Sequence, residues 1–185
     1  MRFSSWELLP MKNILLRTAI VLSASALSAS AQAPASFPVG GLKFQRPADW
    51  EWIPVQSSMR KAQLSVPGEE AGKAAEVTFF HFGPSGGGDV ESNVQRWLRQ
   101  FQSTPGAEKV ESKEIGGRKV TLVSTEGTFS SGMPGGPQTA MADYALLGAI
   151  LENSQGNVFV KMTGPKKTVL NAKSKFLEFL ASATQ

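Results

Sequence analysis

The stretch EVTFFHFGPSGGGDVESNVQRWLRQFQ (76–102) decides the fold class. Residues 76–82 are rich in β-branched and aromatic side chains, which suit a pleated, half-buried surface and predict a strand. Gly83-Pro84-Ser85-Gly86-Gly87-Gly88 then interrupts any regular structure. From 89 to 102 the apolar period changes. Val90, Val94, Trp97, Leu98 and Phe101 fall on one stripe of a 3.6-residue repeat, with Gln95, Arg96, Arg99 and Gln100 opposite, so this segment predicts a helix. Gly88 or Asp89 can cap its start, and the acidic Asp89 and Glu91 suit the positive end of the helix dipole.

Outward from this pivot, short strands are expected on both sides. Upstream, Leu42-Lys43-Phe44-Gln45 alternates and stops at Arg46-Pro47, residues 50–53 are cut off by Pro54, and 59–66 ends at Pro67-Gly68. Downstream, strands are predicted at 109–115, 118–126, 143–152 and 157–163. Gly116-Gly117 turns the first pair and Asn153-Ser154-Gln155-Gly156 the second, both as hairpins. Residues 127–142 (GTFSSGMPGGPQTAMA) read as a mobile connection because they are long and rich in Gly, Pro and Ser. A last helix is expected from Pro165 to about Ser182, Pro165 fitting its first position and Val169, Leu170, Lys173, Phe176, Leu177 and Leu180 its inner stripe. Hairpins segregated from helices predict a single α+β domain over 42–185, an antiparallel sheet of about six to seven strands packed with two main helices.

Residues 1–31 read as a secretory signal. Lys12 and Arg17 precede an apolar run of about ten residues, too short to span a bilayer, and Ala29-Ser30-Ala31 supplies small residues for cleavage. Trp6 and Glu7 fit a signal poorly, so Met11 is the better start. Residues 32–41 read as a linker. Cleavage after Ala31 would leave 154 residues, room for one core, and would remove Arg2, Lys12, Arg17 and Glu7. The remaining 16 basic and 14 acidic side chains give a net charge of +2, too mild to imply a nucleic-acid partner. Absence of Cys excludes disulfides, thiolate metal sites, Cys nucleophiles and a lipid-anchored cysteine. A periplasmic or secreted bacterial protein follows, with no stable membrane insertion after cleavage.

Three stretches give the chain a resemblance to the PsbP-like fold group, which includes the photosystem oxygen-evolving accessory protein and the Ran-binding nuclear-import factor of the same fold. They are Phe44-x-x-Pro47-x-x-Trp50, the Phe-rich strand before the Asp89 helix, and the closing strand, Thr163-Gly164-Pro165 and helix through Phe176-Leu177. The long 127–142 loop departs from the pattern. The resemblance implies a sandwich-like architecture and an accessory or binding role, and assigns no functional residue.

Chemistry-bearing residues are few. His81 is the only histidine, set inside Phe79-Phe80-His81-Phe82, and no Gly-x-Ser-x-Gly elbow exists, so it reads as a hydrogen-bonded sheet residue and not a catalytic base. One His without Cys gives no transition-metal set, and no calcium-loop spacing occurs, so no metal or cofactor is expected. The 83–88 glycine run lacks both the Walker and the dinucleotide spacing. Lys166 and Lys167 in the first turn of the last helix, with Lys161 on the strand before it, form a candidate anion site, against the alternative of solvated lysines. Trp50 and Trp52 form either a contact platform or core, Trp97 reads as core, and Met133-Pro134 mark a candidate contact loop. Tyr144 has no assignable partner. The expected function is a non-enzymatic binding or accessory module for another envelope protein or a small ligand, of undetermined oligomeric state. Alternatives are a carboxylate-dependent hydrolase or sugar-acting enzyme using Asp89, Glu91, Asp143 or Glu152, and a structural or stress protein of the envelope.

Overall fold

Alternating apolar side chains build most of the fold in the computed structural model, which describes residues 33–132 and 136–184. The signal segment and the candidate start at Met11 lie outside the described residues, as do Met133 and Pro134. The first half of the chain supplies β1 (Ser36–Val39), β2 (Leu42–Gln45), β3 (Glu51–Trp52), β4 (Arg60–Val66), β5 (Ala75–His81) and α1 (Val90–Leu98). The second half supplies β6 (Phe101–Ser103), β7 (Lys109–Ile115), β8 (Arg118–Ser131), β9 (Thr139–Leu151), β10 (Val158–Pro165), α2 (Lys166–Asn171) and α3 (Lys173–Ala181).

The main sheet is antiparallel, eight-stranded and ordered β3-β4-β5-β10-β9-β8-β6, with β7 also on β8. The α+β class is as expected, with one strand more in the sheet than foreseen. Period-2 burial along β4 (Ala62, Leu64, Val66) and β10 (Val158, Val160, Met162) directs one set of side chains to one face. That face is covered by the β1-β2 hairpin and by α2 and α3. Aromatic rings close this layer, with Phe44 5.4 Å and Trp50 5.4 Å from Phe179, and Phe37 5.2 Å from Phe79. The Phe44-x-x-Pro47-x-x-Trp50 stretch is therefore a core element whose two rings meet on the last helix. The opposite face carries Leu146, Ile150, Phe159 and Val123, against which α1 packs Val94, Trp97 and Leu98.

Four expectations are corrected. Residues 32–41 are not a plain linker: Ser36–Val39 pair with Leu42–Gln45, and Phe37 and Val39 are buried. The α1 helix stops at Leu98, and Phe101, read as helical stripe, is buried instead by strand pairing with Phe129. Most of 127–142 is strand, since β8 runs to Ser131 and β9 begins at Thr139. Its glycine at 127 serves close packing: a Cβ there would lie 2.1 Å from the Gln102 carbonyl oxygen. The closing helix is two segments meeting at Ala172, with Pro165 at the cap position. Thr168, Val169, Phe176, Phe179 and Leu180 face inward, while Leu170 and Lys173 are exposed.

Other local readings hold. Gly116 and Gly117 both have positive φ, 59° and 74°, as a two-residue primed turn between β7 and β8 requires. Asp89 caps α1 by accepting from the Ser92 backbone N–H at 2.8 Å. No helix among the described residues is long and apolar enough to cross a membrane.

Candidate functional site

A short helix on a long sheet leaves part of the sheet bare. The nine residues of α1 reach about 13 Å, whereas the thirteen of β9 reach about 43 Å. Trp97 lies over Gly148, where a Cβ would come within 2.5 Å of the indole, and this fixes which end of the face α1 covers. The uncovered end forms a groove of about 460 Å³ over β4, β5, β10 and β9, rimmed by Gln100 and by the far end of the β8-β9 hairpin. That hairpin bends where the register slips: Gly127 pairs Tyr144, but Phe129 pairs Met141. Asp143, in the extra length of β9, takes up a left-handed φ of 59°.

Lys161 occupies the floor of this groove. Its Nζ donates to Gln100 Oε1 and lies 5.1 Å from the Phe129 ring centroid. Phe129 in turn stacks on Tyr144 at 6.0 Å and 13°. Beside them, Arg60 Nη1 and Glu76 Oε1 are 3.2 Å apart, and Gln63 ties the pair by accepting from Arg60 at 2.7 Å and donating to Glu76 at 2.8 Å. Lys161 takes part in none of the ion pairs among the described residues. Burial pushes its pKa down to about 8; Glu76 opposes the shift and Arg60 adds to it. Thr78 Oγ1 donates to the Lys161 carbonyl at 3.3 Å, and the buried Thr163 hydroxyl has no hydrogen-bond partner among the described residues. The groove thus offers a half-buried amine outside every ion pair among the described residues, a hydroxyl without a partner there and an aromatic wall.

The expected lysine cluster is divided. Strand alternation sends Lys161 to the α1 side of the sheet, with Phe159 and Thr163. Lys166 and Lys167 line a separate, wider cavity with Asp49, Glu69, Glu70 and Asp143. There Lys166 pairs with Glu126 at 2.7 Å and Lys167 with Glu69 at 2.5 Å. The hydrogen bonds to those carboxylates raise both lysine pKa values, so the two charges are already compensated. Of the two readings of the tryptophans, the structure bears out core: Trp50 is 1% exposed, and Trp52 is half-buried with its ring 5.1 Å from Phe37.

His81 is pinned in the sheet, its Nδ1–H donating to the Asn157 carbonyl at 3.3 Å. The four carboxylates weighed for catalysis are dispersed. Asp89 caps α1, where bonds from Ser92 hold its pKa below the usual range. Glu91 accepts from Gln95 on the same helix at 3.0 Å. Asp143 sits at the bulge of β9 and Glu152 just past its other end, 2.8 Å from Lys119. No group of three or more His, Asp or Glu among the described residues could hold a metal ion.

Arg60, Glu76, Gln100, Phe129 and Thr163 were not singled out by the sequence. For Glu76 and Thr163 a faint signal is present: polar residues at alternate positions on strands whose other positions are apolar (Glu76 and Thr78 on β5, Lys161 and Thr163 on β10).

No family model matches the chain, and no curated protein matches it. Among solved structures it is similar to the cyanobacterial PsbP of Synechocystis, with a TM-score of 0.50 at 12% identity over 85% of this chain and 96% of that one. At such low identity the likeness establishes a PsbP-like fold and nothing about ligand or activity. Two further structures are similar at lower scores. A protein of Bacteroides thetaiotaomicron has a TM-score of 0.47 and 14% identity over 81% of this chain and 47% of that one. A Pseudomonas aeruginosa protein of unknown function has a TM-score of 0.46 and 11% identity over 81% and 95%.

Proposed function

We propose that this chain is an exported, non-catalytic binding module of the bacterial envelope or exterior, and that the groove around Lys161 is its ligand site. The observation that carries this reading is a half-buried amine that forms no ion pair among the described residues, in a groove that the fold leaves open between α1 and the β8-β9 hairpin. A buried charge of this kind is costly unless something compensates it, which favours a site kept for a ligand over one kept for stability. Export rests on residues 1–31, whose basic, apolar and small-residue segments come in signal order.

The test is a thermal-stability screen of the purified chain against sugars, peptides, nucleotides and small anions. Hits should vanish when Ser130→Trp or Met141→Trp crowds the groove from its rim. Hits that survive both substitutions place binding elsewhere, and a silent screen removes the small-ligand reading in favour of a protein partner. Export is tested separately by finding the chain in the periplasm or medium with its N-terminus at Gln32; a cytoplasmic chain retaining residues 1–31 would refute it.

A further inference from the structure

We infer that the Lys161 groove takes a small organic monocarboxylate, its carboxylate on the Lys161 amine and the Thr163 hydroxyl and its apolar body against Phe129 and Tyr144. This deepens the binding-module reading and rests on it.

Charge selects the class. The charged side chains lining the groove are Arg60, Glu76 and Lys161, and Glu76 is already joined to Arg60. The groove therefore presents a single excess positive charge, located on Lys161. One carboxylate neutralises it, whereas a phosphate dianion would overcompensate it and meet the Glu76 carboxylate in the same cavity. Geometry agrees with charge. A carboxylate has two acceptor oxygens; Lys161 and Thr163, two positions apart on one face of β10, line the groove with an ammonium and a hydroxyl that has no partner among the described residues. Lys161 lies between Phe129 and Gln100, so a bound carboxylate would displace or share only a neutral amide contact. The wall supplies apolar surface, since Phe80, Phe129, Met141 and Tyr144 all line the groove. This favours an alkyl or aromatic acid over formate or a sugar acid with many hydroxyls.

The experiment is isothermal titration of the purified chain at constant ionic strength and pH 7. The probes are acetate, butyrate, octanoate and benzoate, the corresponding neutral amides, and inorganic phosphate. At least one of the larger acids should bind, with its amide at least tenfold weaker. Lys161→Met and Lys161→Gln should each lower the affinity at least tenfold, and Thr163→Val should lower it several-fold. Lys166→Glu with Lys167→Glu should leave it unchanged. Affinity should fall between pH 7 and pH 9.5, as free Lys161 loses its proton near pH 8; Arg60, Glu76 and Tyr144 are the other charged or titratable side chains lining the groove. Equal binding of acid and amide, tighter binding of phosphate, unaltered binding by folded Lys161 variants, or no binding by any acid each overturns the inference. If a sugar, peptide or nucleotide binds and is lost on crowding the groove, the carboxylate inference alone fails. If no probe of any class responds to crowding, the groove reading fails with it.

Discussion

Replacing Lys161 with methionine should stabilise the folded chain at neutral pH, and the gain should disappear in alkali. The native amine has a pKa of about 8 against an ordinary value of 10.5, and desolvation is the largest cause. Across that difference, below pH 8 the native state carries a proton at a cost of about 3 kcal/mol relative to the unfolded chain. Methionine keeps the length and apolar stem and removes that cost. It also loses the contact with Gln100, whose amide is half-buried and can turn to water, for about 1 kcal/mol. The net gain expected at pH 7 is about 2 kcal/mol, or roughly 4–8 °C in Tm for a domain of this size. The sign with pH follows from proton counting. Between about pH 8 and 10.5 the unfolded state binds more protons at this site, so wild-type stability rises with pH while the variant lacks this contribution. Urea unfolding followed by tryptophan fluorescence at half-unit steps from pH 6.5 to 10.5 reads both curves. A Lys161→Met variant less stable than wild type at pH 7, or a difference that does not change with pH, would refute a desolvated, uncompensated amine.

Two further outcomes check the architecture around the groove. Gly148→Ala should destabilise by about 1–3 kcal/mol, because the added methyl must push Trp97 off the sheet; Trp97→Leu in the same background should restore part of the loss. At the β9 bulge, Asp143→Gly should leave stability within about 0.5 kcal/mol, whereas Asp143→Val should cost about 1–2 kcal/mol for a β-branched residue at φ 59°. Denaturant midpoints decide both, and a harmless Gly148→Ala or Asp143→Val would contradict the packing or the bend.

Much of the fold was legible because it follows from period. The 76–102 switch, the Gly116-Gly117 hairpin and the Asp89 cap are local devices written in adjacent residues. The strand misreadings share one cause, which is that strand pairing and burial override local composition. Ser36–Val39 contains a proline and is followed by two glycines, yet it is a strand because β2 pairs it and the aromatic layer buries Phe37. Thr128 and Phe129 look like loop beside Gly127 and Ser130-Ser131, but β6 and β9 hold them in register. The site was half legible. Lys161 stands out as a cation on an apolar strand, and alternation alone separates it from Lys166. What sequence could not supply is that α1 is too short to cover its face. Burial of Trp50 was also undecidable locally, since its partner Phe179 comes from the far end of the chain.

That separation has a consequence for how the chain folds. Lys43 exchanges two backbone hydrogen bonds with Thr184, and Gln45 meets the Ser182 hydroxyl 137 positions later. The β1-β2 hairpin therefore cannot complete its layer until residues 182–184 are in place, a closure across about 140 residues that is slow because its contact order is high. Until α3 docks, Phe37, Phe44 and Trp50 lack their contacts with Phe179, and that apolar surface is exposed during folding. The aromatic layer is thus completed only by the docking of α3, the element that carries Phe179.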